Sequence, residues 1–149
     1  MIWNVFLISR EGYILVDRPY KAAHHPFELH LIEKSLFAFF HFEKEAFQIY
    51  MDKLNFLTFQ ILLLQTSEFG LACITDLDDD TVTVNVVLSK IAEELRYLYP
   101  DTFSTTKSLP LPLWRRTKLI IDYFMFTHQL VSLAPRKSSP RANREQCNI

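Results

Sequence analysis

The sequence predicts one domain of the α/β class, more narrowly α+β, in which a five-stranded sheet lies between helices in the order β-β-α-β-β-β-α-α. The chain has 149 residues, 49% of them hydrophobic and 22% charged, which is enough for one buried core. Its apolar residues change between the two-residue spacing of strands and the spacing of about 3.6 residues that marks helices. These two observations predict the class.

The first two strands are predicted at residues 2–8 and 13–17. "IWNVFLI" and "YILVD" are apolar segments, and Gly12 between them supplies the backbone freedom that a tight turn needs. Pro19 is expected to end the second strand. The first segment lacks a basic start and a small-residue cleavage site, so a buried strand is predicted there rather than a signal peptide.

A helix is predicted next, at roughly residues 27–44, followed by a strand at an edge of the sheet. The helical segment "FELHLIEKSLFAFFHFEK" is rich in aromatic residues. In "AFQIYMDKL" the apolar residues Phe47, Ile49 and Met51 alternate with polar ones. This alternation is typical of a half-buried strand.

The remaining strands and helices follow from residue 57 onward. "LTFQILLLQ" (57–65) and "LACIT" (71–75) are apolar on both faces, which predicts central strands. The Thr and Val residues that open "TVTVNVVLSKIAEELRYLYP" alternate like a strand, but from Val84 to Leu98 apolar residues recur at helical spacing. We therefore predict a helix there, and a third helix at 113–133 after a loop.

The composition of the tail, the net charge and the cysteines indicate where the protein acts and which partners to expect. Residues 1–134 are predicted to form the domain, and "PRKSSPRANREQCNI" (135–149) a disordered basic tail. The net charge of −1 offers no broad attraction to nucleic acid. Two cysteines, Cys73 in an apolar run and Cys147 in the tail, are typical of a reducing compartment. Without an apolar stretch of about 18 residues, a cytoplasmic protein is expected, at most peripheral to membranes.

An acidic cluster follows the fifth predicted strand in "GLACITDLDDDT". Asp76, Asp78 and Asp80 have the alternation of a calcium-binding loop, but such a loop needs glycine at its sixth position and glutamate at its twelfth. Those positions hold Thr81 and Val87. The cluster therefore does not match a calcium loop.

Two interpretations of the cluster remain. One is a metal-dependent hydrolase built on Asp76 and Asp78, which would also require a magnesium site, a separate lysine and a parallel sheet that the element order does not offer. The other is structural: Asp80 caps the next helix, and its neighbours lie near the positive end of the helix dipole. We favour the structural interpretation and keep the hydrolase as the alternative.

No catalytic constellation is visible elsewhere. The chain lacks G-x-S-x-G, H-E-x-x-H, C-x-x-C and P-loop motifs, and its two glycines leave little for a phosphate-binding loop. Cys73 is expected to act as a small buried hydrophobe. We therefore predict no catalytic residue, no metal ligand and no cofactor, and expect that the protein is not an enzyme.

The first helix carries more apolar side chains than one contact buries. At about 100° per residue its apolar residues cover an arc of roughly 220°, whereas packing on a core requires only about 100° or somewhat more. Phe37 lies within the remaining polar arc. One helix about 10 Å across also leaves part of a five-stranded sheet bare. Such a surface indicates a protein partner, unless the loops at 18–26 and 100–112 cover it.

Several segments resemble longin domains of the longin/roadblock superfamily. "VFLISREGYILVD" is similar to their opening hairpin, and "LTFQILLLQ" with "FGLACITDLDDD" to a later strand pair. "VVLSKIAEELRYLYP" is similar to the helix that follows in vesicle-SNARE longins. The resemblance covers roughly residues 1–99, and the last helix is compatible with it. Roadblock proteins typically open with a helix, so the opening strand favours a longin.

The resemblance implies an antiparallel sheet with the first helix on one face and the last two on the other. It implies no catalysis, but binding of proteins in vesicle trafficking, pairing between longin or roadblock chains, or small GTPase binding and regulation. The recurrent docking surface of the family lies between the first helix and the third strand. It maps here to Phe37, Phe39, Phe40, Phe47, Ile49 and Met51.

The sequence departs from the SNARE longins in one respect. No SNARE heptad segment, transmembrane anchor or prenylation box follows the domain. A fusion SNARE is therefore not expected. We expect a stand-alone longin domain that regulates a small GTPase or joins a larger assembly, including a dimer with itself or with another longin or roadblock chain.

Overall fold

A computed structural model describes the backbone of residues 1–21, 26–42, 50–103 and 106–131, and the side chains within these ranges except at 26–29, 39–42 and 50–52. The predicted element order is confirmed. The elements are β1 (Ile2–Ser9), β2 (Ile14–Pro19), α1 (Pro26–Phe42), β3 (Tyr50–Asn55), β4 (Gln60–Gln65), β5 (Phe69–Thr75), α2 (Thr81–Leu98) and α3 (Leu111–Thr127). The predicted tail at 135–149 lies outside the described residues.

The five strands form one sheet in the order β2-β1-β5-β4-β3. Every neighbouring pair is antiparallel. β1, β5 and β4 occupy the middle of the sheet, and all their residues are buried. This confirms the prediction that the segments apolar on both faces are central. β3 lies at an edge, as its alternating sequence predicted.

The helices divide between the two faces of the sheet. On one face, Ile32 and Leu36 of α1 pack with a cluster that the alternate strand residues provide: Trp3, Phe6, Ile8, Ile61, Leu63, Ala72 and Ile74. On the opposite face, α2 and α3 pack on the intervening residues, among them Val5, Leu7, Leu62, Leu64, Leu71 and Cys73. The fold is therefore compatible with the longin arrangement of one helix against two.

The β1–β2 turn lies close to α1. Gly12 has a φ of 99°, in the left-handed region that L side chains rarely adopt. A Cβ atom at Gly12 would lie 3.4 Å from Cδ1 of Phe37. The backbone conformation of the turn therefore requires the glycine, and the ring of Phe37 lies beside it.

α2 is helical from Thr81, although its first residues alternate like a strand. Its cap at Asp80 and the burial of one apolar side decide the conformation, because tertiary packing outweighs weak local preference. The buried residues are Val84, Val87, Leu88, Ile91, Ala92 and Leu95.

α3 ends earlier than the sequence predicted. The prediction extended the helix to residue 133, whereas it stops at Thr127. Gln129 adopts a φ of 61°, and the N–H of Leu130 donates to the carbonyl of Met125 at 2.9 Å. This is a Schellman motif, which normally uses glycine. Because glutamine takes that place, the usual sequence signal for the end of a helix is missing.

Candidate protein-binding surface

The predicted interface centres on α1, of which the structure describes only part of the side chains. Ile32 and Leu36 are each 1% exposed and hold the helix on the sheet. The next residue, Phe37, is 49% exposed. Because successive helical residues point about 100° apart, Phe37 is turned away from the direction of Leu36. Its ring meets the β1–β2 turn at Gly12.

On the described part of the helix, Phe37 has polar and small neighbours. Glu33 and Lys34 are exposed one turn earlier, and Ala38 is exposed beside it. An aromatic ring within a polar rim is a common arrangement at the centre of protein interfaces. The described part of α1 therefore presents one aromatic contact point with charged neighbours of both signs.

The side chains of the other five predicted residues lie outside the described set. Phe39 and Phe40 lie in α1, but their side chains are outside the described set. Phe47 and Ile49 lie in the segment 43–49, which is also outside the described residues. Met51 belongs to β3, where its backbone pairs with Leu64. These placements leave the predicted set a prediction.

Phe37 and β3 lie over different parts of the sheet. Phe37 is next to the turn between β1 and β2, whereas β3 is the edge strand on the other side. Three strand spacings of about 4.8 Å separate β1 from β3, or roughly 14 Å. On the α1 face β3 contributes Leu54, and Phe56 follows it, stacked on Phe59 with 4.8 Å between ring centroids.

The acidic cluster caps α2, as predicted. The side chain of Asp80 accepts a hydrogen bond from the N–H of Val82 at 3.0 Å and another from the hydroxyl of Thr83 at 2.6 Å. These bonds, first that from Thr83, lower the pKa of Asp80. Asp80 is therefore the N-cap that the sequence indicated.

Asp76 and Asp79 bind the first residues of the chain. Asp76 accepts a hydrogen bond from Nε1 of Trp3 at 2.8 Å and pairs with the Met1 amine at 3.0 Å. Asp79 lies 2.6 Å from the same amine, whereas Asp78 is exposed. The bond from Trp3 is the main cause of the lowered pKa of Asp76. Within the described ranges, no three His, Cys, Asp or Glu residues are grouped so that they could hold a metal ion.

The lowered pKa of Asp76 predicts that the folded state loses stability in acid. A pKa below the ordinary 3.8 means that the folded state favours the carboxylate. The stabilisation is complete above about pH 5 and is lost as the pH falls through the folded-state value. Asp76→Asn should remove the part of this acid-dependent loss of stability that Asp76 contributes. That part is less than about 1 kcal/mol, because 38% of the side chain is exposed and exposed ion pairs are weak.

Denaturant unfolding across the acid range measures this effect. Asp78→Asn makes the same change in charge at an exposed position of the same turn and is the matched control. Identical pH dependence in Asp76→Asn and in the wild type would contradict the role given to Asp76.

Cys73 lies in the core, as predicted. It is fully buried in β5, and burial raises the pKa of its thiol. The side chain packs in the core as a small hydrophobe.

A pocket on the other side of the sheet was not indicated by any residue spacing in the sequence. It lies between β2 and α3 and has a volume of about 440 Å³. Its lining residues are Arg18, Trp114, Arg115, Lys118, Leu119 and Asp122. The one sequence signal within it is the aromatic and basic segment "WRRTK".

Comparisons with known proteins do not assign the chain to a family. No protein-family model matches it, and no curated protein matches it. Among the described helices, none is both long enough and apolar enough to cross a bilayer.

Proposed function

We propose that this chain is a non-enzymatic, longin-like protein-interaction module that acts in membrane trafficking or as a small-GTPase-binding or regulatory subunit. Its proposed binding surface has two parts, α1 and the edge strand β3, which follows α1 in the sequence. The observation that carries the proposal is the half-exposed aromatic ring of Phe37 on a helix whose buried contacts are made by Ile32 and Leu36.

The free energy for such an interface comes from apolar burial at α1. Complete burial of a large apolar side chain contributes about 1.5–3 kcal/mol relative to exposure, and Phe37 has about half of that burial left to gain. Aromatic residues at the centre of an interface, surrounded by polar ones, are the usual energetic hot spots. Glu33 and Lys34 are exposed polar neighbours of Phe37 among the described residues.

The edge strand supports the same proposal through its backbone. β3 is last in the strand order, so only β4 pairs with it among the described strands. An edge strand offers backbone donors and acceptors to a strand of another chain. A second copy, or another longin or roadblock chain, would extend the sheet at β3. A small GTPase would instead contact the helix.

Charge substitutions on α1 test the proposal. Phe37→Glu and Phe40→Glu are expected to weaken association by tenfold or more, since an unpaired carboxylate would be desolvated in the interface. Sedimentation velocity measures association of the purified chain with itself. Binding titrations with purified longin or roadblock chains, and with small GTPases carrying GDP or a GTP analogue, measure the other partners.

The matched control is Tyr97→Glu, which replaces an 81% exposed aromatic residue on α2. It should leave association unchanged. Thermal unfolding of each variant shows whether a loss of binding arises from a loss of folding. Wild-type association in both α1 variants would contradict the interface.

The hydrolase alternative has less support from the structure. Asp76 already accepts from Trp3 and pairs with the Met1 amine, which favours a structural role. Calorimetric titration with magnesium and with calcium distinguishes the two proposals. Only a metal-dependent hydrolase predicts a binding heat that disappears in the Asp76→Asn and Asp78→Asn variants.

A further inference from the structure

The outward side of α3 combines apolar and basic residues. Leu111, Leu119 and Tyr123 are 54%, 67% and 63% exposed. With Arg115 they are spaced by four residues, so they form one row along the helix. Arg116 is exposed beside this row. We call these residues, together with Lys118, the α3 surface.

The cations of the α3 surface are not neutralised within the described part of the chain. No ion pair there involves Arg115, Arg116 or Lys118. Lys118 lies over the ring of Trp114, with Nζ 4.3 Å from the ring centroid. An aromatic face attracts a cation without supplying a counter-charge.

The pocket between β2 and α3 opens beside this surface. Arg18, Arg115 and Lys118 give its lining three positive charges, and Asp122 gives one negative charge, a net of +2. Asp122 is already engaged, because it accepts from Nε of Arg18 at 2.8 Å and from the hydroxyl of Tyr20. The whole chain carries a net charge of −1, so the positive charge of the pocket is a local concentration.

We propose that the α3 surface docks on an anionic phospholipid bilayer, with the phosphate of a lipid headgroup in the pocket between β2 and α3. Arg18 is paired with Asp122, so Arg115 and Lys118, which have no ion pair among the described residues, complement the phosphate. Leu111, Leu119 and Tyr123 enter the headgroup region, which takes both apolar side chains and amphipathic tyrosine rings.

The exposed apolar residues distinguish a lipid from a soluble phosphate. A small phosphate ligand would satisfy the cations and leave Leu119 and Tyr123 in water. These two residues also border a neighbouring groove with Glu94, Ile120 and Phe124, so the apolar surface continues beyond the pocket. A bilayer covers both parts at once.

The membrane surface and the proposed protein surface lie on opposite faces of the sheet. α3 packs in the cluster of the α2 side, and α1 packs in the other. One molecule is therefore able to contact a membrane through α3 and a protein through α1.

Vesicle co-sedimentation of the full chain tests the proposal. The chain is expected to bind vesicles of phosphatidylcholine and phosphatidylserine, and this binding should weaken as salt is added. It should not bind vesicles of phosphatidylcholine alone. Arg115→Glu/Lys118→Glu should weaken it at least about 25-fold, since each basic side chain near an anionic surface contributes roughly fivefold. The neutral pair Arg115→Gln/Lys118→Gln should also weaken it, and it provides the test if the charge-reversed protein does not fold.

The controls separate the α3 surface from general charge effects. Lys34→Glu/Lys90→Glu makes the same change in net charge at two exposed lysines outside the surface, and it should bind within about twofold of wild type. Phe37→Glu should bind vesicles normally. Every variant keeps the segment 132–149, so a difference between variants reports on α3.

A soluble headgroup identifies the source of the phosphate. Leu119→Ser/Tyr123→Ser should lose vesicle binding but keep its affinity for glycerophosphoserine, measured by NMR titration. The proposal is overturned if anionic vesicles do not bind, or if the α3 variants bind them as wild type does. An equal loss of vesicle binding in Lys34→Glu/Lys90→Glu would also overturn it. So would a wild-type chain that binds glycerophosphoserine or a phosphopeptide but does not bind vesicles.

Discussion

Replacement of Phe103 by alanine is expected to lower the free energy of unfolding by about 3–5 kcal/mol, because the change leaves a large cavity in the core. Phe103 lies between α2 and α3, outside any regular element, yet it is fully buried. Its ring packs edge-on against Phe69 and Tyr99, with centroid distances of 5.6 and 6.0 Å. Urea unfolding measures the loss.

A loop residue without such contacts provides the control for Phe103. Leu57 is 92% exposed, so Leu57→Ala should change stability by no more than about 0.5 kcal/mol. A loss below about 1 kcal/mol for Phe103→Ala would contradict the packing of this connection against the core.

Leu36→Ala is expected to lower the free energy of unfolding by about 2–5 kcal/mol, because it truncates a buried side chain. Leu36 is 1% exposed and, with Ile32, fixes α1 on its face of the sheet. Phe37→Ala on the same helix should cost less, about 1–2 kcal/mol, since the ring is half exposed. Chemical denaturation of the two variants compares neighbouring positions with opposite environments.

This pair of variants also separates folding from binding. Leu36→Ala should destabilise the chain and affect association only through folding, whereas Phe37→Ala should weaken association in a largely stable protein. If Phe37→Ala destabilised the chain more than Leu36→Ala, Phe37 would belong to the core and the basis for the α1 interface would be lost.

The order of the elements and the centre of the sheet were predictable because they depend on local patterns. Segments apolar on both faces, 57–65 and 71–75, became the central strands β4 and β5. The described part of the alternating segment before them, from Tyr50 onward, became the edge strand β3. The Asp80 cap was predictable for the same reason, because capping involves residues within one turn.

Features that depend on distant contacts were not predictable. The segment 100–112 was expected to be a loop, and its composition gives no sign that Phe103 is buried between two rings. Arg18 and Asp122 meet across 104 positions of sequence, so no spacing rule indicates the pocket that they border. Without a glycine, the end of α3 at Thr127 had no local signal either.

The candidate site was predictable only in part. The helical wheel identified Phe37 as an apolar residue on the polar side of its helix, and the structure finds it half exposed. Its position across the sheet depends on the strand order, which places β3 on the far side from the β1–β2 turn. The shared groove of α1 and β3 stays a prediction, because most of the residues that would line it lie outside the described side chains.

Hydrogen–deuterium exchange of the chain, free and in its complex, tests the α1 interface most directly. The complex is the one found by sedimentation or titration, with a second copy, a longin or roadblock chain, or a small GTPase. Association should slow amide exchange in α1 (Pro26–Phe42) and β3 (Tyr50–Asn55) and leave α2 (Thr81–Leu98) unchanged. Slower exchange confined to α2 and α3, with α1 and β3 exchanging as in the free chain, would contradict the proposed function.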